Sequence, residues 1–253
     1  MTTDSDLVLT RREDGVVVLT LNRPSKRNAF DAEMCKQFAE SFRAACQDAA
    51  CIVITGSDPA FSSGADVRAS ADSIRNCGYP IGWQEIVDSP VPIIAAVNGP
   101  AVTGGFALAV NADFIIASER ASFCDNELLV IGYGNSQLMA PLQRRVGDAW
   151  ARELSLTSEY IDAATALRIG LVNHVVPHEQ LLPRALGAAH AIAAKDRRAV
   201  SALRQQWDAQ QGLPLRTARR LHDAFHGPFK DAATAFGDEA RVKQLMSRAS
   251  GRG

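Results

Sequence analysis

The sequence has no uninterrupted apolar run of about 18 residues, the shortest stretch that normally spans a membrane as a helix. Its opening segment, MTTDSDLVLTRREDG, is polar and acidic and lacks the apolar core of a signal peptide. We therefore expect a cytoplasmic protein that has no membrane partner.

Cysteine is scarce and irregularly spaced. The chain has five cysteines, an odd number, and no Cys-x-x-Cys motif. Disulfide frameworks and cysteine metal clusters normally show paired, regular spacings. Reduced thiols are the simplest interpretation, and they agree with a cytoplasmic location. The five are Cys35, Cys46, Cys51, Cys77 and Cys124.

The chain also lacks a strong excess of either charge. It carries 27 basic and 28 acidic residues, for a formal net charge of −1. Proteins that bind nucleic acid usually present a basic excess, so no nucleic-acid partner is expected. With 253 residues, of which 47% are hydrophobic, the chain is long enough for one sizeable core with an appendage.

Several catalytic signatures are absent. There is no Gly-x-Ser-x-Gly elbow of a serine hydrolase, no P-loop and no Rossmann glycine fingerprint. The five histidines form neither a His-Glu-x-x-His motif nor a cysteine–histidine set with metal-ligand spacing. We predict no metal site and no separate cofactor.

Short apolar runs that alternate with helical segments indicate an α/β fold. Residues 7–22 predict a β-hairpin, because two β-branched runs flank the turn dipeptide Asp14-Gly15. Asp31 is a predicted N-cap for a helix that ends near Ala49. Further buried strands are predicted at 51–56, 92–99 and 113–118, with parallel pairing. From about residue 137 the chain is predicted to be mainly helical.

Two glycine-containing corners follow predicted strands, in FSSGADVRAS (61–70) and AVNGPAVTGGFALAV (96–110). Amides in the first turn of a helix have no intrahelical acceptor, and glycine lets another molecule approach the backbone. Two such amides that face each other can stabilise a negatively charged oxygen, as an oxyanion hole does. The alternative is that these small residues only allow tight packing.

The two corners, in this order, resemble those of the crotonase, or enoyl-CoA hydratase/isomerase, family. The resemblance covers roughly residues 8–195 and is much weaker beyond them. The matching stretches are LTLNRPSKRNAF, VITGSDPAFSSGADV, PVPIIAAVNGPAVTGGFALAVNADFIIASERASF and LTSEYIDAATALRIGLVNHVVP.

The resemblance implies a crotonase fold, in which a spiral of ββα units forms two sheets. This α/β core is expected at residues 1–195, and a helical region at 196–253 is expected to join the subunits into homotrimers or dimers of trimers. The resemblance also implies an acyl-CoA thioester as the substrate, so that coenzyme A enters as part of the substrate.

Residue by residue, the resemblance assigns the two oxyanion-hole amides to Ser63 and Gly104, and the acid/base carboxylate to Glu127. Family hydratases usually carry a second glutamate three residues after the donor glycine, where this chain has Ala107. Alanine cannot transfer a proton. Moving a double bond from the 3- to the 2-position needs one acid/base group, whereas hydration usually needs two. We therefore predict isomerisation in preference to hydration.

Two alternatives stay open. Hydration remains possible if Asp125, two residues before Glu127, is an auxiliary acid, or if Asp66 takes that role instead of capping a helix. The chain is otherwise a degenerate family member that binds an acyl-CoA, or a partner protein, without turnover.

The remaining substrate contacts are also implied by the resemblance. Arg23, Lys26 and Arg27 are expected to meet the phosphates of coenzyme A, with solvated surface charge as the alternative for each. Residues 69–90 are expected to form either a lid over the acyl pocket or a plain surface loop. The backbone of the corners is expected to contact the substrate at Ser62, Gly64, Ala65, Asp66 and Gly105.

Overall fold

A computed structural model of the chain describes residues 6–69, 85–130, 132–133, 136–226, 229 and 243. Most of the predicted lid, residues 70–84, lies outside the described residues. The chain divides into two compact units, Met1–Lys195 and Asp196–Gly253.

The first unit is built on a six-stranded sheet with the strand order β1-β2-β3-β4-β6-β9. The predicted hairpin is confirmed, because β1 and β2 pair antiparallel and the turn residues Asp14 and Gly15 have φ of 44° and 77°. All other neighbours in this sheet are parallel, as predicted. Its strands are β1 (Val8–Glu13), β2 (Val16–Leu21), β3 (Cys51–Gly56), β4 (Ile93–Val97), β6 (Phe114–Ser118) and β9 (His174–Val176).

Both faces of the inner strands β2, β3, β4 and β6 are covered, which is why these strands are largely apolar rather than alternating. Val17 and Leu19 point to one face and join the larger core with helix α1 (Ala32–Asp48). Val16 and Val18 point to the other face and pack against helix α6 (Leu181–Ala193).

Helix α1 begins where the sequence predicts. The carboxylate of Asp31 accepts a hydrogen bond from the backbone N–H of Met34 at 2.9 Å, so it caps the helix. The other helices of the first unit are α2 (Gly104–Val110), α3 (Glu127–Val130), α4 (Ser136–Thr157) and α5 (Ala163–Arg168). Gly147 interrupts α4 with φ 77° and ψ 170°, so this helix is kinked there.

The second sheet, which the family resemblance implied, has three short strands whose positions were not predicted. It contains β5 (Ala101–Val102), β7 (Ser122–Cys124) and β8 (Ile161–Asp162) in the order β5-β7-β8. Strands of two or three residues are too short to show a period of two in the sequence. This sheet nevertheless positions the site, because β5 leads into the second corner and β7 leads into the segment that carries Glu127.

The second unit contains helices α7 (Arg197–Gln210) and α8 (Leu215–His226). Asp196 caps α7 by accepting hydrogen bonds from the backbone N–H groups of Arg198 and Ala199. Several large apolar side chains of this unit are exposed in the single chain: Leu203, Trp207, Leu213 and Leu215. Among the described residues, no helix has both the length and the apolar character needed to cross a bilayer.

Candidate active site

The two predicted corners are in direct contact, and glycine makes the contact possible. Ser62 and Ala101 form a parallel bridge, with the Val102 N–H donating to the Ser62 carbonyl at 2.9 Å. A β-carbon on Gly105 would lie 2.3 Å from that same carbonyl oxygen. A β-carbon on Gly64 would lie 2.0 Å from Thr103 Oγ1. Gly64 and Gly105 therefore let the corners interlock, which no larger residue allows.

A buried asparagine that the sequence analysis missed holds the first corner in place. Asn28 is 0% exposed, and its side-chain NH₂ donates to the carbonyls of Ser57, Ala60 and Phe61 at 2.8, 2.7 and 3.3 Å. The backbone carbonyl of Asn28 accepts a hydrogen bond from Ser62 Oγ at 2.8 Å. Ser62 is therefore fixed from inside the protein, and its hydroxyl does not face a ligand. The only sequence signal was a polar residue between turn residues and an apolar run.

A second buried asparagine ties together the ends of three neighbouring strands. Asn98 accepts a hydrogen bond from the Gly56 N–H at 3.1 Å and donates to Asp58 at 2.9 Å. His178 contacts the other oxygen of Asp58 at 3.0 Å and Ser118 Oγ at 3.0 Å. These bonds hold the pKa of Asp58 below its usual range, mainly through Asn98 and then through His178, while partial burial opposes them.

The assignment of an oxyanion amide to Ser63 needs correction. Its N–H donates to the carbonyl of Arg27 at 3.0 Å, so that amide already has an acceptor. The N–H of the peptide group that joins Gly64 to Ala65 points the other way. The Gly64 carbonyl accepts from the Phe30 N–H at 2.8 Å, and C=O and N–H point in opposite directions across a trans peptide. The Ala65 N–H is therefore directed away from residues 27–30.

The Ala65 N–H points towards the second corner. The Ser62 carbonyl, which accepts a hydrogen bond from the Val102 N–H, faces the same way. Gly104 is the first residue of helix α2 there. A β-carbon on Gly64 would lie 3.0 Å from Gly104 N, so the two segments are close at this point. Within the described part of the chain, neither the Ala65 N–H nor the Gly104 N–H has an acceptor.

Glu127 lies one strand away from the second corner. Val102 pairs with Cys124, and the Thr103 N–H donates to the Cys124 carbonyl at 3.0 Å. Glu127 follows as the first residue of α3 and is only 4% exposed. The rings of Phe106 and Phe123 pack with centroids 5.4 Å apart and hold α2 against this strand. The fold therefore brings the carboxylate-bearing segment beside Gly104.

Asp125 does not have the surroundings of an auxiliary acid. It is 1% exposed, and its two carboxylate oxygens accept hydrogen bonds from the Glu127 N–H at 3.1 Å and from Ser155 Oγ at 2.7 Å. These bonds fix the start of the short helix that carries Glu127. Ala107, where family hydratases usually have a glutamate, is 0% exposed within α2.

Arg23, which was predicted to meet the coenzyme A phosphates, instead forms ion pairs with two carboxylates. The Arg23 guanidinium bridges Asp31 at 2.9 Å and Asp66 at 3.1 Å, with only 19% of its side chain exposed. Asp66 also accepts from the Arg68 N–H at 3.1 Å. The ion pairs fasten the cap of α1 to the end of the first corner, so Arg23 is not an available phosphate ligand.

Lys26 and Arg27 are exposed and have no ion pair with any residue that the structure describes. Both belong to the loop that packs on the first corner. The backbone carbonyl of Arg27 accepts a hydrogen bond from the Ser63 N–H, and the backbone carbonyl of Lys26 accepts one from Ser63 Oγ at 3.4 Å. These two cations therefore stand at the edge of the corner, where an anionic group of a ligand can reach them.

Two buried thiols, those of Cys51 and Cys124, do not contribute a nucleophile. Burial raises the pKa of Cys51 to about 12, with the charge of Asp113 adding to the effect. Burial likewise raises the pKa of Cys124, near the second corner, to about 11, helped by Asp125. Both thiols therefore stay protonated and weakly nucleophilic at neutral pH.

Comparison with known proteins points to one family along nearly the whole chain. The family model described as enoyl-CoA hydratase/isomerase matches residues 11–238. A probable enoyl-CoA hydratase of Rhizobium meliloti (strain 1021) is 40% identical over 197 residues, which cover 74% of this chain and 76% of that protein. A probable enoyl-CoA hydratase of Mycobacterium bovis is 33% identical over 257 residues, 96% of this chain and 99% of that protein.

Solved structures agree. A crystal structure of an enoyl-CoA hydratase from Bacillus anthracis has a TM-score of 0.85 and 25% identity, covering 92% of this chain and 96% of that one. That of an enoyl-CoA hydratase from Mycobacterium smegmatis has a TM-score of 0.83 and 28% identity, with 94% and 96% covered.

Because the corners interlock, one methyl group added at the contact should destabilise the protein strongly. Gly105→Ala should lower the free energy of unfolding by about 1–3 kcal/mol or more, because the new carbon overlaps the Ser62 carbonyl oxygen. Urea unfolding followed by circular dichroism measures the change.

Gly187→Ala is the matched control. A β-carbon at Gly187 would meet nothing within 4 Å, and the residue lies inside helix α6. This change should stabilise the protein by up to about 1 kcal/mol through helix propensity. Equal stability of the two variants would contradict the proposed interlock.

Proposed function

The chain belongs to the enoyl-CoA hydratase/isomerase family, and we propose that it moves the double bond of an enoyl-CoA from the 3- to the 2-position. Its fold is the crotonase fold that the sequence led us to expect. The proposal depends on one observation above all: two backbone amides without acceptors, at interlocked corners, lie beside the segment that carries the buried Glu127, while the nearby carboxylate of Asp125 is bonded to Ser155 and to the Glu127 N–H.

The thioester oxygen is proposed to accept hydrogen bonds from the Ala65 and Gly104 N–H groups. Ala65 replaces Ser63 in this role because the Ser63 amide is bonded to Arg27. Negative charge grows on the thioester oxygen when a proton leaves C2. Two preorganised donors stabilise that charge, and losing one donor typically costs on the order of 10²–10³ in rate.

Glu127 is proposed to carry the proton. Its carboxylate removes a proton from C2, and the electron pair moves through the thioester carbonyl onto the oxygen, which gives a dienolate. The resulting carboxylic acid then delivers the same proton to C4, and the double bond re-forms between C2 and C3. No atom is gained or lost, so one acid/base group is sufficient.

Hydration is the second candidate, because the relatives described above are named enoyl-CoA hydratases. It requires a group to activate water in addition to the group that protonates C2. Ala107 cannot supply it, and Asp125 is held by Ser155 and by the Glu127 N–H. These contacts favour isomerisation.

The remaining contacts are proposed from charge and exposure. Lys26 and Arg27 are the candidates for the coenzyme A phosphates, and no cofactor beyond that of the substrate is required. The apolar side chains of Leu128, Leu129 and Val130 are 40%, 77% and 52% exposed next to Glu127, which suits an apolar acyl group. A cytoplasmic location stays a prediction.

A homotrimer or a dimer of trimers is proposed for the assembly. The exposed apolar side chains of α7 and α8 support it, because an exposed apolar helix face is normally covered by a partner. Trp207, 59% exposed, is the largest of these side chains.

Activity is tested with two substrates and one variant. With the wild type, a solution of 3-enoyl-CoA should gain the ultraviolet absorbance of a conjugated thioester, and a solution of 2-enoyl-CoA should lose little of that absorbance. Glu127→Gln keeps the size of the side chain but cannot accept the proton, so the rate should fall by about 10²–10⁴-fold.

Glu159→Gln, at an exposed glutamate, is the control and should keep the wild-type rate. Loss of absorbance from 2-enoyl-CoA as the main activity would establish hydration instead. Binding of both substrates without turnover would identify a degenerate member, and a fully active Glu127→Gln variant would refute the assigned base.

The assembly is tested by light scattering after size-exclusion chromatography. The wild type should have three or six times the chain mass of 27.2 kDa, and Trp207→Glu should reduce it. Ala209→Glu, two residues along α7 and therefore on the opposite side of the helix, should leave the mass unchanged. A monomeric wild type would contradict the proposal.

A further inference from the structure

Thr103, the residue before Gly104, has a backbone conformation that disfavours its own side chain. Its φ is 46° and its ψ is −111°. A β-branched residue at positive φ is a genuine outlier, whereas glycine adopts such angles without penalty. The backbone is held there from both sides, since the Thr103 N–H donates to the Cys124 carbonyl at 3.0 Å and its carbonyl accepts from Ala107 at 2.7 Å. Glycine would satisfy both bonds with less strain.

The Thr103 hydroxyl does not serve its own helix. It makes no capping hydrogen bond to α2, although threonine before a helix commonly does so. Within the part of the chain that the structure describes, this hydroxyl has no hydrogen-bond partner at all. Thr103 is also partly exposed, while Ala101, Val102 and every residue of α2 are buried.

The hydroxyl faces the first corner. The point where a β-carbon of Gly64 would lie is 2.0 Å from Thr103 Oγ1 and 3.0 Å from Gly104 N. Thr103 Oγ1 and the Gly104 nitrogen therefore lie close to the same part of the first corner, and the next peptide group of that corner carries the Ala65 N–H.

We propose that the Thr103 hydroxyl is a third hydrogen-bond donor to the thioester oxygen, beside the Ala65 and Gly104 amides. This inference rests on the proposed function. It is the side-chain hydroxyl, not the helix end, that is assigned to the ligand. Side-chain hydroxyls are suitable oxyanion donors, and a donor that is held in place before the charge develops needs no reorganisation during the reaction.

Strained backbone persists only where the surrounding structure enforces it, and it occurs preferentially at active sites and ligand-binding segments. The Thr103 hydroxyl has no protein partner within the described part of the chain and lies beside two amides without acceptors. A hydrogen bond to the ligand would account for a strained threonine at this position. The bond to the oxygen should strengthen as negative charge develops, so the hydroxyl should act mainly on kcat rather than on KM.

Three variants distinguish a Thr103 hydroxyl that donates a hydrogen bond from a Thr103 side chain that only fills space. Thr103→Ser keeps the hydroxyl and should keep kcat within about threefold of the wild type. Thr103→Val keeps the volume but removes the hydroxyl, and kcat should fall by roughly 10- to 100-fold with little change in KM. Thr103→Gly should lose a similar factor in kcat while its melting temperature stays equal to or above that of the wild type.

Vibrational spectroscopy of a bound, carbonyl-labelled acyl-CoA gives a readout that a spacer would not move. The thioester C=O stretch should lie at lower frequency in the wild type and in Thr103→Ser than in Thr103→Val. An unchanged kcat and an unchanged C=O frequency in Thr103→Val would overturn the inference, as would an inactive but stable Thr103→Ser. A wild type that turns over neither enoyl-CoA would instead defeat the proposed function.

Discussion

The site depends on the close approach of two pieces of backbone, made possible by glycines that have no β-carbon at the point of contact. Gly105 lies against the Ser62 carbonyl, and Gly64 lies against Thr103 and Gly104. Because each contact leaves no room for a β-carbon, the distance between the corners is set by the main chain. Amides held in this way cannot relax towards water, and that rigidity is what electrostatic stabilisation of a developing charge requires.

The polar groups around the corners serve this geometry rather than the ligand. Asn28 satisfies three carbonyls of the segment that leads into the first corner, and Arg23 joins Asp66 to the cap of α1. Asp125 likewise holds the start of the helix that carries Glu127. Buried polar groups of this kind are stabilising only when every member is paired, so each of them narrows the range of positions open to the catalytic groups.

Most of the fold could be predicted from the sequence, since continuous apolar runs mark buried parallel strands and Asp31 and Asp14-Gly15 mark a helix start and a turn. The glycine-containing corners could be found in the sequence itself, but their substrate and the role of Glu127 could be predicted only through family resemblance. Side-chain type could not show that Arg23 is consumed by two carboxylates, or that β5, β7 and β8 form a sheet. The choice between Ser63 and Ala65 was also out of reach, because it depends on which way a peptide group points and not on which residue bears it.

A site assembled in this way separates two tasks. In the proposed reaction, charge on the thioester oxygen is met mainly by two main-chain amides, which are independent of side-chain identity, with the Thr103 hydroxyl as an added donor, whereas proton transfer depends on particular carboxylates. This chain has Ala107 where family hydratases usually have a glutamate. The amides that stabilise the charge are therefore retained, and only the number of carboxylates that can transfer protons is reduced. With Asp125 engaged by Ser155, the remaining carboxylate is Glu127. The chemistry best matched to one such group is the transfer of a single proton between two carbons of the same substrate.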